Sequence, residues 1–436
     1  MRAFKILCVG LLAGCAAAAP AQLLGGGGLP GAVGNLTGGL LGPQGTAPAV
    51  VGGLQGPLMS VGDTLHTVAP TDLLSMRRER LRALVRDNRR LLDVDDAGNP
   101  VRRDEIVAIN MSPDALARAR AAGFTPIRTD TAGPLDLSAT ILAPPKGKPA
   151  RKALRVLQAL DPAGDYGLDP IYEPARAPLA PSAGPAAGGG ATMGGAIGLI
   201  DGGVGRHPIF DGVAIEQRGF AGDPRPSGHG TAVASLMVGR GGAFHGVAPG
   251  TSLLVADIYG GSPANGSATA IARAMGWLAE RHARVVNISL VGPPNPLLAA
   301  AVKALQARGI IVVAAVGNDG PAAPPQYPAS YPAVVAVTGV DAKGKPLIEA
   351  GKPLHLDFAA PGADIVGAVP GGKWERLRGT SFAAPFVAAS LARLDHGDPA
   401  ATLAVLAAQA RPAKGAIGRG IVCGDCGTPP KAVGLK

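Results

Sequence analysis

The chain of 436 residues is poor in aromatic and charged side chains, and it has few cysteines. Aromatic residues make up 3% of it and charged residues 17%, and there are four cysteines. So few rings give little support to a role in stacking nucleic-acid bases or sugars. No apolar run approaches the ~20 residues that a transmembrane helix needs. Since 47% of the residues are nevertheless hydrophobic, we predict a sizeable core built from aliphatic side chains.

The charge of the chain is unevenly distributed. Its net charge is +10 and its pI is about 9.7, and much of the excess lies in residues 77–90, within MRRERLRALVRDNRR. We interpret this stretch as a solvated, Arg-rich helix. A protein that binds nucleic acid or an anionic surface would need basic residues grouped on its main folded part. Residues 196–424 contain no such run, and we therefore expect no nucleic-acid partner.

The first 21 residues have the three parts of a secretory signal peptide. Arg2 and Lys5 are basic, residues 6–14 are apolar, and residues 19–21 (APA) form an A-x-A cleavage site. In a competing interpretation, the LAGC sequence that ends at Cys15 resembles a bacterial lipobox, in which the cysteine carries a lipid anchor. Both interpretations predict an exported protein and leave open whether it is periplasmic, anchored to the outer membrane or secreted.

The cysteines fall into two pairs. Cys8 and Cys15 lie in the signal sequence, and Cys423 and Cys426 form a CGDC motif near the C-terminus. In an oxidising compartment, a local disulfide between the latter two is the default expectation. A zinc site would need two more ligands, and a thioredoxin-like motif would need a strand before it and a helix after it, which the sequence does not indicate.

Composition divides the rest of the chain into five parts. Residues 22–70 contain 14 glycines in 49 positions, and we interpret them as a flexible tether. Residues 71–173 alternate between strand and helix patterns. Residues 174–195 form a linker of Pro, Ala and Gly, residues 196–424 form the largest predicted domain, and residues 425–436 form a C-terminal tail.

Residues 71–173 predict a small α+β domain. After the Arg-rich helix, residues 105–111 (EIVAINM) alternate like a strand. Ser112, Pro113 and Gly123 mark the start and end of a helix. Two strands and a second helix follow, and residues 171–174 (IYEP) are predicted as the closing strand. This order indicates a ferredoxin-like α+β sandwich.

From residue 196 onward, apolar β-branched runs alternate with helical patterns. The strand candidates are AIGLI, SLLVADI, VVNISL, IIVVAAVG and AVVAVTGV, and continuous apolar runs of this kind are typical of parallel strands buried on both faces. We therefore predict an α/β fold with a doubly wound, mostly parallel sheet flanked by helices.

Three polar residues stand at places where such a fold gathers its functional groups. Asp201 ends an apolar strand, His229 lies between two glycines at a helix start, and Ser381 begins an apolar helix. A serine hydroxyl becomes a nucleophile when an imidazole takes its proton, and a buried carboxylate orients that imidazole. The chain order Asp, His, Ser is one of the known orders of this triad. Each residue alone is more often structural, but together they indicate acyl-transfer catalysis.

A fourth residue completes the predicted site. Asn318 follows the buried strand IIVVAAVG, where its amide can donate to the oxyanion that develops during acyl transfer. Ser381 has no G-x-S-x-G motif around it, which argues against an esterase of the α/β-hydrolase type.

With these motifs in order, residues 196–422 resemble the subtilisin-like serine peptidases. IDGGV resembles the Asp box of that family, GHGTAVASL its His box, VVNISLVGP its substrate-binding strand, AAVGN its oxyanion segment and RGTSFAAPFVAA its Ser box. The resemblance implies peptide-bond hydrolysis of polypeptide substrates on a subtilisin-like fold. It implies that Asp201 orients the base, His229 is the general base, Ser381 is the nucleophile and Asn318 is the oxyanion donor.

The resemblance also implies a substrate-binding site and a built-in inhibitor. The positions that it assigns to substrate binding are Ser289, Leu290, Val291, Gly292, Gly317 and Gln326. Residues 71–173 resemble the propeptide of the family, an intramolecular chaperone and inhibitor, and we expect self-cleavage between residues 173 and 195.

Several positions depart from the family pattern without removing a catalytic atom. Val291 stands where glycine is common, and Gln326 falls near the pocket floor, so we expect a narrow pocket beside the scissile bond. Asp319, beside the same pocket, favours a basic residue immediately before the scissile bond. Tyr327-Pro328 is a candidate cis peptide. The loop 236–246 lacks the calcium-binding pattern of the family; the reaction requires no cofactor, and the sequence does not support a structural calcium ion.

One alternative class is a subtilase fold that serves only as a binding module. Such pseudoenzymes usually lose a member of the triad, whereas this sequence retains Asp201, His229 and Ser381. We therefore favour an exported serine endopeptidase.

Overall fold

The structure is a computed structural model, and it describes residues 70–174, 195–332 and 334–435. The predicted signal sequence, the Gly-rich tether and all but the ends of the predicted linker lie outside these residues. Among the helices that the structure describes, none is both long and apolar enough to cross a bilayer.

Residues 70–174, here called the N-terminal segment, form an antiparallel sheet with two helices on one face. From β2 to β5 the order of elements is β-α-β-β-α-β, as in a ferredoxin-like unit. The strands of its main sheet lie in the order β5, β2, β4, β3, and β1 pairs with the first residues of β2. The elements are α1 (Pro70–Asp87), β1 (Leu92–Val94), β2 (Pro100–Ile109), α2 (Pro113–Ala121), β3 (Thr125–Thr131), β4 (Ser138–Ala143), α3 (Ala150–Leu160), β5 (Asp165–Pro170) and β6 (Glu173–Pro174).

Local sequence explains the ends of α2. The Ser112 side chain accepts a hydrogen bond from the Ala115 amide, and Pro113 occupies the first turn, where its missing N–H is not needed. The chain leaves the helix through Gly123, whose φ of 88° lies in the region that glycine adopts most readily.

The closing strand of this sheet is not the one that the sequence predicted. Residues 165–170 form β5 and pair with β2, and the chain leaves the sheet after Ile171, whose amide still donates to the Pro100 carbonyl at 2.9 Å. DYGLDP contains Asp, Gly and Pro, which are rare in strands, so its pairing with β2 rather than its own pattern determines its conformation. Residues 171–174, here called the tail, pair with the rest of the chain instead.

Residues 195–332 and 334–435, here called the α/β segment, contain a seven-stranded parallel sheet. Its order is β16, β15, β14, β12, β7, β11, β8. The elements are β7 (Ile197–Asp201), β8 (Ile215–Gly219), α4 (Gly228–Val238), β9 (Arg240–Gly241), β10 (Phe244–His245), β11 (Leu253–Asp257), α5 (Ala268–Glu280), β12 (Val285–Ile288), β13 (Leu290–Val291), α6 (Pro296–Ala307), β14 (Ile311–Ala315), β15 (Val334–Val340), β16 (Phe358–Pro361), β17 (Ile365–Val369), β18 (Lys373–Leu377), α7 (Ala384–Arg393) and α8 (Pro399–Gln409).

Helices cover both faces of this sheet, which confirms the predicted doubly wound fold. Side chains of α4, α7 and α8 share one core with the sheet, and those of α5 and α6 share the other. All residues of β7, β11, β12, β14 and β15 are buried, as expected for parallel strands between two helical layers. Near the C-terminus, Cys423 and Cys426 form a disulfide across a tight turn.

The N-terminal segment packs against α5 and α6. Ile106 and Ala108 of β2 face the segment's own helices, whereas Val107 and Ile109 join the core formed by α5 and α6. The approach is close, because a Cβ atom at Gly276 would lie 2.3 Å from the carbonyl oxygen of Ala132. Residues 106–109 of β2 are therefore buried on both faces of the sheet, whereas the edge strand β3 is largely exposed.

A buried carboxylate joins the two segments at the start of α5. Asp169 of β5 is fully buried, and its oxygens accept hydrogen bonds from the Thr269 amide at 3.0 Å and the Thr269 hydroxyl at 2.5 Å. A carboxylate at a helix N-terminus is favoured by the unpaired amides and the helix dipole. Burial raises the pKa of Asp169, the bonds from Thr269 lower it, Glu105 raises it further, and it lies at about 6.

We predict that this site makes the folded chain more stable at pH 5 than at pH 7. Because the pKa of Asp169 is raised on folding, the folded state binds a proton between about pH 4 and pH 6 that the unfolded state does not. Relative to Asp169→Asn, the chain should gain about 1.4 kcal/mol of unfolding free energy from pH 7 to pH 5. Urea unfolding in a Ser381→Ala background, which removes the predicted nucleophile and so guards against the expected self-cleavage, measures this difference.

The matched control is Asp165→Asn, which changes an exposed residue of the same strand. It should leave the pH dependence of the parent chain unchanged. A difference between parent and Asp169→Asn that does not vary with pH would contradict the assignment.

Candidate active site

Asp201 and His229 meet at the carboxyl end of β7, an inner strand of the sheet. Ser227 caps α4 by accepting a hydrogen bond from the Gly230 amide, which places His229 in the first turn. The His229 Nδ1 atom lies 2.9 Å and 2.8 Å from the two carboxylate oxygens of Asp201. Both side chains are 2% exposed or less, and the Gly202 amide donates to the same carboxylate at 2.7 Å.

This contact determines which imidazole nitrogen is available for chemistry. A carboxylate accepts the proton of Nδ1 and so leaves Nε2 with its lone pair. The His229 Nε2 atom is buried and makes no hydrogen bond to the described residues. The imidazole is therefore arranged to accept a proton from a neighbouring donor.

Ser381 lies in a turn of 3₁₀-helix, Thr380–Phe382, that leads into α7. The Ser289 hydroxyl donates to the Ser381 carbonyl at 2.8 Å, and Asn287 donates to that Ser289 hydroxyl at 2.9 Å. The ring of Phe382 lies 5.3 Å from the His229 ring, between centroids, so the imidazole stands beside this turn. The Ser381 hydroxyl is buried and unbonded within the described residues.

Asn318 presents its amide group to the same space. Its Oδ1 atom accepts a hydrogen bond from the Thr380 amide at 2.9 Å, which directs the NH₂ group toward the site, where it has no partner among the described residues. A Cβ atom at Gly379, whose φ is 140°, would lie 2.8 Å from Asn318 Nδ2 and 3.6 Å from Ser381 Oγ. The candidate donor and nucleophile thus border one small space, which glycine keeps open.

The strand β13 runs beside this site and pairs with the tail. Leu290 lies opposite Pro174, and Val291 lies opposite Glu173, in antiparallel register. On its other side, the tail pairs with residues 266 and 267, where the Tyr172 amide donates to the Gly266 carbonyl at 2.7 Å. The tail therefore lies as an added strand between β13 and residues 266–267, in the manner of β-augmentation. We call the groove that it fills the cleft.

Tyr172, which precedes Glu173 in the tail, is fully buried. Its hydroxyl donates to the Pro293 carbonyl at 2.6 Å, and its carbonyl accepts a bond from the Tyr259 hydroxyl at 3.0 Å. A Cβ atom at Gly292 would lie 2.6 Å from the Tyr172 ring. Glycine at position 292 therefore makes room for an aromatic side chain of the tail.

Gly317, Val291 and Gln326 form a narrow pocket beyond β13. A Cβ atom at Gly317, whose φ is 94°, would lie 3.2 Å from Gln326 Oε1 and 3.3 Å from Val291 Cγ1. Gln326 is buried and donates to Asp319 at 3.1 Å. The peptide bond between Tyr327 and Pro328, which follow Gln326 in the chain, is cis. The Val291 and Gln326 side chains thus lie within van der Waals reach of a Cβ atom at Gly317; that they narrow the pocket beside the scissile bond stays a prediction.

Sequence reasoning missed one set of contacts at this site. The Arg-rich helix α1 is not solvated on all sides, because Arg77 and Arg80 form ion pairs with Asp319 at 3.1 Å and 3.0 Å. Arg80 also bonds Glu173 of the tail at 3.3 Å. The density of arginine was visible in the sequence, but no local signal identifies a partner 239 residues away.

Comparison with known proteins agrees with this geometry. The profile of the subtilase family, Peptidase_S8, matches residues 193–411, about half of the chain. The chain belongs to the subtilase family. It is a serine endopeptidase by that membership, with the cleft described above at the carboxyl edge of its sheet.

Matches to individual subtilases span different shares of this chain and of each relative. The chain is 33% identical over 208 residues to Subtilisin Savinase of Lederbergia lenta, which spans 47% of this chain and 77% of that protein. It is equally identical over 208 residues to an alkaline protease of Alkalihalobacillus alcalophilus, of which the match spans 54%. Its fold resembles that of fervidolysin from Fervidobacterium pennivorans, with a TM-score of 0.63 and 20% identity over 77% of this chain and 62% of that one.

We predict that Asn318→Ala lowers kcat of this subtilase by ~10²–10³ with little change in KM. The reason is the predicted role of Asn318, in which its amide donates to an oxygen that is negatively charged only in the transition state. Asn318→Asp, which keeps the acceptor for Thr380 but removes the donor, should lose at least as much. Steady-state kinetics on a fluorogenic peptide, with thermal unfolding as a control for folding, tests this. A large rise in KM with kcat intact would contradict the assignment.

Proposed function

We propose that this subtilase is an exported serine endopeptidase that uses Asp201, His229 and Ser381 as its triad and cleaves itself from a precursor. The observation that carries the proposal is the tail, which pairs antiparallel with β13, next to Ser289, whose hydroxyl bonds the Ser381 carbonyl. Export rests on the signal sequence at residues 1–21, and attachment through Cys15 remains the alternative that the sequence offers.

The residues of the cleft provide each group that peptide hydrolysis needs. The Ser381 hydroxyl attacks the scissile carbonyl carbon while its proton passes to His229 Nε2, and Asp201 stabilises the resulting imidazolium. The carbonyl oxygen becomes an oxyanion that accepts a hydrogen bond from Asn318. When the carbon–nitrogen bond breaks, His229 gives its proton to the leaving amine, and a water molecule hydrolyses the acyl-enzyme by the same steps.

The register of the tail points to one scissile bond. Because Pro174 lies opposite Leu290, a peptide that continues in this register brings its next residue opposite Ser289, whose hydroxyl bonds the Ser381 carbonyl. In the sequence this residue is Ala175. We propose cleavage between Ala175 and Arg176, with residues up to 175 remaining as an inhibitor on the cleft.

The narrow pocket supports the same bond. Residues two apart in a strand point to the same side, so a substrate residue that followed Pro174 in this register would project on the side where Glu173 meets Arg80. Val291 and Gln326 occupy that side, and a methyl group is a fitting occupant. We therefore propose a preference for a small residue immediately before the scissile bond.

For the self-cleavage, we predict that the expressed wild-type chain is cut between Ala175 and Arg176 and that Ser381→Ala remains intact. Intact mass and N-terminal sequencing of the purified proteins measure both. Ser390→Ala changes a serine of the same helix α7 outside the cleft and should be processed like the wild type. If Ser381→Ala were processed equally, another protease would be responsible, and a wild type that stays whole and fails to react with a fluorophosphonate would contradict the enzyme assignment.

For the pocket, we predict that Gln326→Ala widens the range of accepted residues. Removing most of the side chain opens space beside Gly317, so the ratio of kcat/KM for Leu against Ala before the scissile bond should rise by about tenfold, the equivalent of about 1.4 kcal/mol of burial. Gln306→Ala, which changes an exposed glutamine of α6, is the control. An unchanged ratio would show that Gln326 does not limit the pocket.

A further inference from the structure

The helix α1 lies directly on the wall of the cleft. Leu73 is 6% exposed, and its Cδ1 atom would lie 3.0 Å from a Cβ atom at Gly320. Arg77 Nε and Arg80 Nη2 bind different oxygens of Asp319, at 3.1 Å and 3.0 Å. The Asp319 side chain is 8% exposed, so these arginines cover a carboxylate that borders the substrate path.

Arg80 holds two carboxylates together. Its Nη2 atom lies 3.0 Å from Asp319 and 3.3 Å from Glu173. Burial lowers the pKa of Arg80, but the charges of Glu173 and Asp319 and their hydrogen bonds more than reverse this effect, so the pKa is raised. Without the guanidinium, two nearby negative charges would repel each other. The acidic tail therefore fits against Asp319 because α1 supplies a cation between them.

A substrate in the same register meets Asp319 without that cation. Glu173 stands two residues before Ala175, so it marks the third substrate residue before the scissile bond, whose side chain points toward Asp319. When residues up to 175 have left, α1 leaves with them, and of the side chains in the described part of the chain that bond the Asp319 carboxylate, the Gln326 amide alone remains. A cationic substrate side chain at that position would replace the guanidinium of Arg80.

We propose that Asp319 is a specificity-determining residue that selects a basic side chain at the third substrate residue before the scissile bond. This inference rests on the proposed function and deepens it by naming a substrate class. The residue next to the scissile bond is not its target, because Gln326 and Val291 fill the pocket that a long side chain would need there. In the full chain, Arg77 and Arg80 occupy the acidic subsite that a substrate would fill.

The test compares three fluorogenic peptides that differ only at this third residue, which is Lys, Gln or Glu. With the self-processed wild-type enzyme, kcat/KM should fall in the order Lys, Gln, Glu, with Lys at least about tenfold above Glu, since close and partly buried charge pairs reach this size. In Asp319→Asn, the ratio of Lys to Glu should fall to about two or less. Glu280→Gln, at the exposed end of α5, should keep the wild-type ratio.

The neutral peptide separates failure of this inference from failure of the proposed function. If the Gln peptide is cleaved in a Ser381-dependent manner but the ratio of Lys to Glu is near one, or survives in Asp319→Asn, the subsite is wrong and the protease assignment stands. If no peptide is cleaved, the proposed function and this inference fail together.

A charge exchange within the full chain provides a second readout. In Arg80→Ala, the tail should leave the cleft more easily, so the lag before peptide hydrolysis begins should shorten severalfold. Adding Glu173→Lys to that variant should restore the lag, because the new ammonium group can pair with Asp319 directly. Arg78→Ala, an exposed arginine of the same helix, should leave the lag unchanged. Failure of Glu173→Lys to restore the lag would overturn the proposal.

Discussion

The backbone of β13 provides hydrogen-bonding groups that the seven-stranded sheet does not use, because the chain leaves that sheet after Ile288. A strand edge of this kind recruits another extended chain. In the full chain the tail fills it. In the proposed function, this two-residue register sets the peptide bond that approaches Ser381 and the side chains that face the pocket, so the proposed cleavage position, inhibition and substrate preference all rest on one backbone pairing.

Glycines at three positions leave the space that the site and the tail need. Gly379 leaves the space between Asn318 and Ser381 empty, Gly292 admits the Tyr172 ring, and Gly317 adopts a positive φ beside Gln326. At each of these positions a side chain would occupy volume that a substrate or a catalytic group needs. Part of the high glycine content of the chain is therefore explained by the cleft, where backbone and ligand approach each other closely.

Much of the α/β segment could be predicted because its signals are local. The apolar runs of β7 and β14 reflect burial on both faces, and Asp201, His229 and Ser381 lie inside short motifs. β5 was missed because Asp165–Pro170 has no strand-like pattern and depends on pairing with β2. The ion pairs of Arg80 were also missed because they depend on non-local partners, and these partners lie even farther away along the chain. A sequence shows which side chains are charged, but only packing shows which charges meet.

The tail brings the negative charge of Glu173 close to that of Asp319, with the positive charge of Arg80 between them. Glu173 and Asp319 are both negative, so their repulsion opposes the pairing of the tail with β13. Arg80 of α1 offsets this repulsion because it forms ion pairs with both carboxylates. The retention of the tail therefore depends on two separate parts of the N-terminal segment, the strand that enters the cleft and the helix that covers it. When α1 moves away, the remaining tail carries the wrong charge for its own subsite. Under the proposed function, the Asp319 carboxylate would thus hold the inhibitor through Arg80 while α1 is in place and repel Glu173 of the tail once α1 has been displaced, which would favour release.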